Sequence, residues 1–179
     1  MKDSLLILGA GQYGHVVREI ADEIGTFEKV AFLDDNLSEV AIGKFDSYMD
    51  HKDNYKMAVV ALGNPQLRLH WIEKLKNAGY ELPVLKHPMS CVSSSAQIGE
   101  GTVVEPMAVV QAGVKVGKGC LLCSNTVLKH NCVVSDGCYI DCNSTVMPEA
   151  TVPRTKRINC NTTYHASPEI SNRGENIGI

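Results

Sequence analysis

From Val92 onward an aliphatic residue returns at every sixth position: Val92, Ile98, Val104, Val110, Val116, Leu122, Leu128, Val134, Ile140, Val146, Val152 and Ile158. Four places after each stand Ala96, Thr102, Ala108, Val114, Cys120, Thr126, Cys132, Cys138, Ser144, Ala150, Lys156 and Thr162, small or medium at all but Lys156. A large slot and a small slot on one six-residue clock are the pattern of a parallel β-helix, in which each coil buries its side chains against the next and cannot fold alone. Twelve hexads from 92 to 163 make four eighteen-residue coils. Gly99, Gly101, Gly113, Gly117, Gly119 and Gly137 fall between the two slots, where the corners of such a prism turn sharply.

The same clock sorts the cysteines. Cys120, Cys132 and Cys138 take the small inward slot, where cysteine acts as a compact hydrophobe. Cys120 and Cys123 have nominal C-x-x-C spacing, but the register sends one inward and the other to a corner, so no zinc site is expected from that pair and no metal is expected in the chain as a whole. The seven cysteines are odd in number and follow no secretion-type leader, which favours reduced thiols. Only four large aliphatic residues in a row precede the first glycine, too few for a membrane span, so a cytoplasmic protein without a membrane partner is expected. A net charge of -3 with mixed signs offers no broad basic surface for nucleic acid.

The first half has a different organisation. Leu5 to Leu8 reads as a buried strand, and helical spacing follows at Val16, Val17, Ile20, Ala21 and Ile24. At the junction Gly9, Gly11 and Gly14 form G-x-G-x-x-G, in which missing side chains let backbone N–H groups approach a phosphate or let strand and helix pack closely. A second strand, "KVAFLDDN", ends in Asp34 and Asp35, placed either to meet a ribose or base or to mark a turn. A third strand at "MAVVALGN" brings Gly63 and Asn64 to the same carboxyl edge, a helix runs from Pro65 to about Ala78, and a last strand is expected at "ELPVLK". The chain therefore divides into a small Rossmann-like βαβ domain (1–86), a β-helix (87–163) and a polar tail (164–179), a fold of α/β plus β-solenoid class. It has room for only one mononucleotide half, which argues against a dinucleotide dehydrogenase.

His130, two places after Leu128, occupies a corner slot facing out of the prism, with Ala112 and Pro148 stacked beside it at about 4.8 Å per layer. The glycine turn, the Asp pair, the hexads and "KHNCVVSDG" together resemble the bacterial sugar acyltransferases of the sialic acid O-acetyltransferase type, and most closely the UDP-4-amino-sugar N-acetyltransferases. The resemblance implies a left-handed β-helix, a homotrimer, a nucleotide-linked amino sugar held by the first domain and the co-substrate acetyl-CoA held between neighbouring prisms. It makes His130 the general base, since imidazole titrates near the working pH, with direct transfer and no acyl-enzyme. It assigns Gly9, Gly11 and Gly14 to the phosphate turn with Gln12 and Tyr13 inside it, Asp34 and Asp35 to the base-proximal carboxylates, and Gly63, Asn64 and Arg68 to a "GN…R" edge.

The chain departs from that family in three places. Asn131 stands where an acid usually follows the histidine, able to orient the ring but not to stabilise imidazolium by charge. Gly11, Gln12, Tyr13 and Gly14 replace the usual G-G-H-G, and the tail lacks the terminal G-x-P-A-[KR] segment. Arg154, Lys156 and Arg157 are candidates for CoA phosphates or a solvated basic turn. The competing expectations are an acyltransferase with another acceptor or acyl donor, and a non-catalytic trimer that binds a sugar nucleotide.

Overall fold

Four short parallel strands form the first domain: β1 (Asp3–Leu8), β2 (Phe27–Leu33), β3 (Ala41–Gly43) and β4 (Met57–Val60), in the order β3-β2-β1-β4. The computed structural model describes residues 3–36 and 39–165, so nearly all of the expected tail lies outside the described residues. The central strand β1 is buried on both faces, as its unbroken apolar run requires. Leu5 and Ile7 pack with helix α1 (Gln12–Ile24), while Leu6 and Leu8 pack with helix α2 (Pro65–Asn77). Helix α1 turns Gly14, Val17, Ile20 and Ala21 inward and ends on Gly25 in the left-handed region. Helix α2 begins on Asn64, whose side chain accepts the Leu67 N–H at 2.9 Å, with Pro65 in the first turn. No helix among the described residues is long and apolar enough to cross a membrane.

One strand expected in this domain joins the prism instead. The segment "ELPVLK" adds no full strand to the sheet: Glu81 makes one isolated bridge to Met57, and Leu85–Lys86 pairs instead with Val103–Val104 of the prism. Pro83 has no N–H for a ladder, so the segment breaks there and its end joins the solenoid. The β-helix thus starts inside the expected first domain. The stretch 36–55 also holds β3 and a 3-10 helix (Phe45–His51) that buries Phe45, elements too short to show a period.

The prism consists of fourteen two-residue strands, one every six residues from Leu85–Lys86 to Thr163–Tyr164. They stack into three parallel sheets of five, five and four strands. The first face presents Leu85, Val103, Leu121, Tyr139 and Arg157 outward; the second begins at Cys91 and the third at Gln97. Val104 to Ile158 and the small slots from Ala108 to Ala150 form one continuous inner core. Lys156 is the exception: it is exposed, and marks where the small inward slot gives out.

From Ile98 to Ile158 every corner carries a residue in the left-handed region three places after the inward aliphatic. Glycine fills it at 101, 113, 119 and 137, and Met107, Asn125, Asn131, Asn143, Glu149, Thr155 and Asn161 fill it elsewhere, with φ between 57° and 63°. Gly99 and Gly117 are not of this kind. A Cβ on Gly99 would lie 2.6 Å from the Gly117 carbonyl carbon, and one on Gly117 would lie 2.6 Å from the Asp136 nitrogen, so these two glycines serve the stacking of successive coils.

The glycines at 101, 119 and 137 share one corner, between the third face and the first, and helix α2 lies on them. A Cβ on Gly119 would meet Ile72 Cδ1 at 2.4 Å, and one on Gly137 would meet Leu69 Cδ1 at 2.7 Å. Ion pairs from Lys76 to Glu100 (2.5 Å) and from Lys118 to Glu73 flank the contact. On the adjoining face Leu85, Val103 and Leu121 enter the same core as Leu5, Ile7, Val17 and Ile20. The top of the glycine ladder is Thr155, a β-branched residue at φ 59°. Replacing it with Asn, which tolerates that region, is expected to stabilise the protein by roughly 1 kcal/mol, read from the shift of a urea unfolding curve.

Candidate active site

The carboxyl ends of β1, β2 and β4 bring Gly9–Gly11, Asp34 and Ala61–Asn64 to one edge, the place where open parallel sheets bind ligands. The three glycines of the turn do different work. Gly9 has φ 113°, and a Cβ there would lie 2.9 Å from the Ala61 carbonyl oxygen; a Cβ on Gly14 would lie 2.0 Å from the Gly9 oxygen. These two are required by the chain itself. Gly11 is exposed, sits at an ordinary φ of −74°, and a Cβ there would meet nothing within 4 Å. It caps α1 without any side-chain hydrogen bond, and the first turn holds no acid, so the helix N-terminus stays open to an anion. Gln12 is exposed beside it.

Asp34 works within the loop: its Oδ2 accepts the Ala10 N–H at 2.7 Å and its Oδ1 the Asn36 N–H at 2.9 Å. Asp35 is exposed and accepts the Phe45 N–H at 3.0 Å. Asn64 is exposed as the α2 cap, and Gly63 next to it leaves open space.

Two residues expected at the ligand edge point elsewhere. Arg68 is fully buried and gives its N–H groups to carbonyls: Gly119 at 2.8 Å, Gly137 at 2.8 Å, Leu62 at 2.5 Å and Gly63 at 3.2 Å. Burial pulls its pKa down, against neighbouring thiols and phenols that hold it up. Its guanidinium clips the loop after β4 to the glycine corner of the prism and is not open to a ligand, because all the groups it reaches lie inside the domain junction. Tyr13 likewise turns inward, its ring 6.4 Å from Tyr139 on the first face and its hydroxyl buried. Burial, and then the charge of Glu105, push its phenol well above the ordinary range.

His130 is exposed at the corner between the second and third faces, opposite the first face on which the Rossmann-like domain sits. In one copy the glycine turn and His130 therefore lie on opposite sides of the prism. The coil is fixed by Asn131 N–H to Ala112 O at 3.0 Å, by Glu149 N–H to His130 O at 3.3 Å, and by His130 N–H to Gln111 Oε1 at 3.0 Å. Asn131 supplies the left-handed turn and stacks on Gly113, where its Oδ1 would lie 2.3 Å from a Cβ. Among the described residues no hydrogen bond joins it to the His130 ring, so its role in the chain is the turn. Cys132 next to it points into the core, and burial pushes its thiol up to about 11.

The three basic residues near the prism's end do not form one cluster. Arg157 pairs with Asp141 at 2.5 Å and covers the Tyr139 ring at 4.5 Å on the first face. Arg154 lies instead at the third face, beside a groove of about 440 Å³ lined with Lys115, Val133, Ser135 and Asp136. That groove runs along the face that begins at the His130 corner. Lys115 is an outward residue of the repeat, one place before inward Val116, as Arg157 is before Ile158.

A Rossmann-like domain docked on a hexapeptide β-helix, with a histidine on a bare corner, defines a hexapeptide acyltransferase architecture. The family described as PglD N-terminal domain matches residues 4–75, and that described as bacterial transferase hexapeptide (six repeats) matches residues 95–130. The chain belongs to the acetyltransferase family that combines these two parts. It is similar over 93% of its length, with 30% identity and a TM-score of 0.87, to 83% of the acetyltransferase domain of PglB from Neisseria gonorrhoeae FA1090, solved in complex with acetyl coenzyme A. It is 29% identical over 117 residues to UDP-N-acetylbacillosamine N-acetyltransferase of Bacillus subtilis (strain 168), a match that covers 56% of this chain and 50% of that relative's length. A mutant of perosamine N-acetyltransferase from Caulobacter crescentus, solved with CoA and GDP-perosamine, shares the fold at 18% identity and TM-score 0.83, over 93% of this chain and 90% of that one.

The glycine turn gives a direct test of which positions serve packing. Gly14→Ala is expected to lose about 3 kcal/mol or more, because its methyl meets backbone that cannot move aside, whereas Gly11→Ala changes stability by about 1 kcal/mol at most. Thermal unfolding of the two variants beside the parent protein checks this.

Proposed function

We propose that this chain transfers an acetyl group from acetyl-CoA to the amine of a nucleotide-linked sugar. The observation that carries the proposal is His130: an exposed imidazole on a rigid corner at the start of the face that bears a groove with lysine and arginine in its lining. The relatives named for N-acetyl transfer, and the neighbour solved with acetyl coenzyme A, support this choice of donor and acceptor.

The chemistry needs one base and no covalent enzyme intermediate. His130 takes a proton from the acceptor amine as its nitrogen attacks the thioester carbonyl. The tetrahedral intermediate then collapses, breaks the carbon–sulfur bond and releases the CoA thiolate, to which the imidazolium returns the proton. Cys132, the nearest thiol in sequence, is wholly buried and holds its proton, so a path through an acyl-cysteine is disfavoured. No metal is required for this step. The donor's phosphates suit Lys115 and Arg154 at the groove, with Lys156 exposed nearby in sequence.

The acceptor's nucleotide suits the edge formed by Gly11, Gln12, Asp35, Gly63 and Asn64, with the phosphates at the open N-terminus of α1. Since that edge and His130 lie on opposite sides of one prism, the reading requires the edge to come from a second copy. A ring of three prisms, each offering its His130 corner to a neighbour's first domain, satisfies this with closed symmetry. Catalysis inside the cell, where acetyl-CoA is made, goes with the same reading.

Mass spectrometry after incubation with acetyl-CoA and a panel of nucleotide-linked amino sugars is expected to show one acetyl group gained by one member of the panel. His130→Ala should lower the rate by about 10² to 10⁴ while leaving acceptor binding intact. Gly11→Ala should weaken acceptor binding without changing the fold. Light scattering should give a trimer, and a monomer that still turns over would sink the shared-site reading.

A further inference from the structure

We propose that Glu105, Cys123 and Cys142 form a site for a single thiophilic divalent cation of the zinc class, at the corner where the prism meets α1. One ligand atom from each residue lies within 4.8 Å of the other two. Glu105 and Cys123 occupy the same step of the repeat in successive coils, and Cys142 lies one place further along in the next. This corner is formed by the first and second faces, so the site is separate from the His130 corner and from the proposed transfer.

The polar inventory of this corner is unbalanced without a cation. Glu105 and Cys123 are only 6% and 2% exposed. The Oε2 of Glu105 accepts the N–H and the hydroxyl of Ser124 at 2.9 and 3.0 Å, the Cys123 thiol also hydrogen-bonds the carboxylate, and no ion pair neutralises it among the described residues. A buried carboxylate without a cation is costly. The Tyr13 hydroxyl, buried beside Glu105 and Cys123, also has no partner. The nearby guanidinium of Arg68 is committed to four carbonyls. The corner thus collects two thiols, a carboxylate and an orphan hydroxyl, with nothing positive among them.

The donor set selects the ion. Two sulfurs and one carboxylate oxygen suit zinc and its chemical relatives, whereas magnesium and calcium demand shells built of oxygen. On binding, each thiol releases a proton to solvent and three protein atoms coordinate the metal. Water or the Tyr13 oxygen completes a tetrahedron. Tyr139, whose hydroxyl hydrogen-bonds Cys123, supplies a donor behind that sulfur. A pocket of about 270 Å³ between α1 and the prism, walled by Glu19, Glu23, His87, Glu105 and Ser124, opens on the Glu105 side of this corner. The pair Cys120 and Cys123 remains excluded as a ligand pair, because Cys120 lies in the inner core. Cys123 finds its partners above and below in the stack rather than along the sequence.

The test uses the full chain, reduced and stripped of metal, titrated with Co²⁺ as a spectroscopic probe and then with Zn²⁺. The expected result is a thiolate-to-cobalt charge-transfer band that saturates near one Co²⁺ per chain and is abolished by Zn²⁺. Saturating Zn²⁺ should raise the melting temperature by roughly 5 °C. Cys142→Ser and Glu105→Gln should each weaken cobalt binding by about tenfold or more. Cys160→Ser, an exposed thiol, should leave it unchanged. Cys142 is only half-buried, so its substitution keeps the test valid if a Cys123 variant fails to fold. Absence of the band in the parent protein, its survival in Cys142→Ser, or its loss in Cys160→Ser would overturn the proposal.

Discussion

The fold depends on a helix lying against bare backbone. At one corner of the prism the left-handed slot is glycine in three successive coils, and the side chains of Leu69 and Ile72 fill the space that three Cβ atoms would occupy. Elsewhere, apart from Gly113, the same slot carries asparagine, methionine, glutamate or threonine, which would hold a helix away. Close approach then allows Arg68 to reach the carbonyls of Gly119 and Gly137 while holding those of Leu62 and Gly63. The buried guanidinium has no carboxylate partner among the described residues, and its hydrogen bonds to carbonyls stand in for lost water. A neutral side chain of the same size would leave those carbonyls without a donor in a dry junction, which makes Arg68 difficult to replace.

This docking also determines what one chain can present to ligands. It fixes the Rossmann-like domain on the first face and so places the edge of its sheet far from the His130 corner. The second and third faces are left to meet neighbours, and the groove on the third face lies between the corner with His130 and the corner under α2. A solenoid whose coils repeat every eighteen residues offers the same corner at several heights, but only one height carries histidine. In the proposed reading the transfer site is defined along the prism axis by sequence and around it by the symmetry of a trimer.

The repeat was legible in the sequence because burial acts identically on every coil. Each large inward position from Val104 to Ile158 is buried, and the inward cysteines follow the same rule. The short elements between 41 and 51 were not legible, since three residues of strand cannot display alternation. Residue chemistry alone also misplaced Arg68 and Tyr13, which lie near a glycine edge in sequence but turn into the domain junction. The outward slots held the missing signal: Leu85, Val103 and Leu121 are apolar in successive coils of one face, which marks that face as covered. The arginine that follows the glycine edge can then be seen to face the junction.

Asn131 shows how the same lattice constrains chemistry. Its backbone lies at φ 59°, so the residue after His130 is first of all a corner residue, and asparagine suits that region well. Its side chain stacks on Gly113, a position whose lack of a Cβ makes room for it. The amide is thereby directed along the stack, while the imidazole stands free at the corner. A general base needs its ring held and its cationic form stabilised during proton transfer. Within one chain neither service comes from Asn131. In the shared-site reading both come from groups that close over His130 when the neighbouring domain and its ligand arrive, so the base is assembled only at an occupied interface. A free copy would then carry the histidine without the means to use it, which couples activity to oligomerisation more tightly than in a site whose histidine has its own acid.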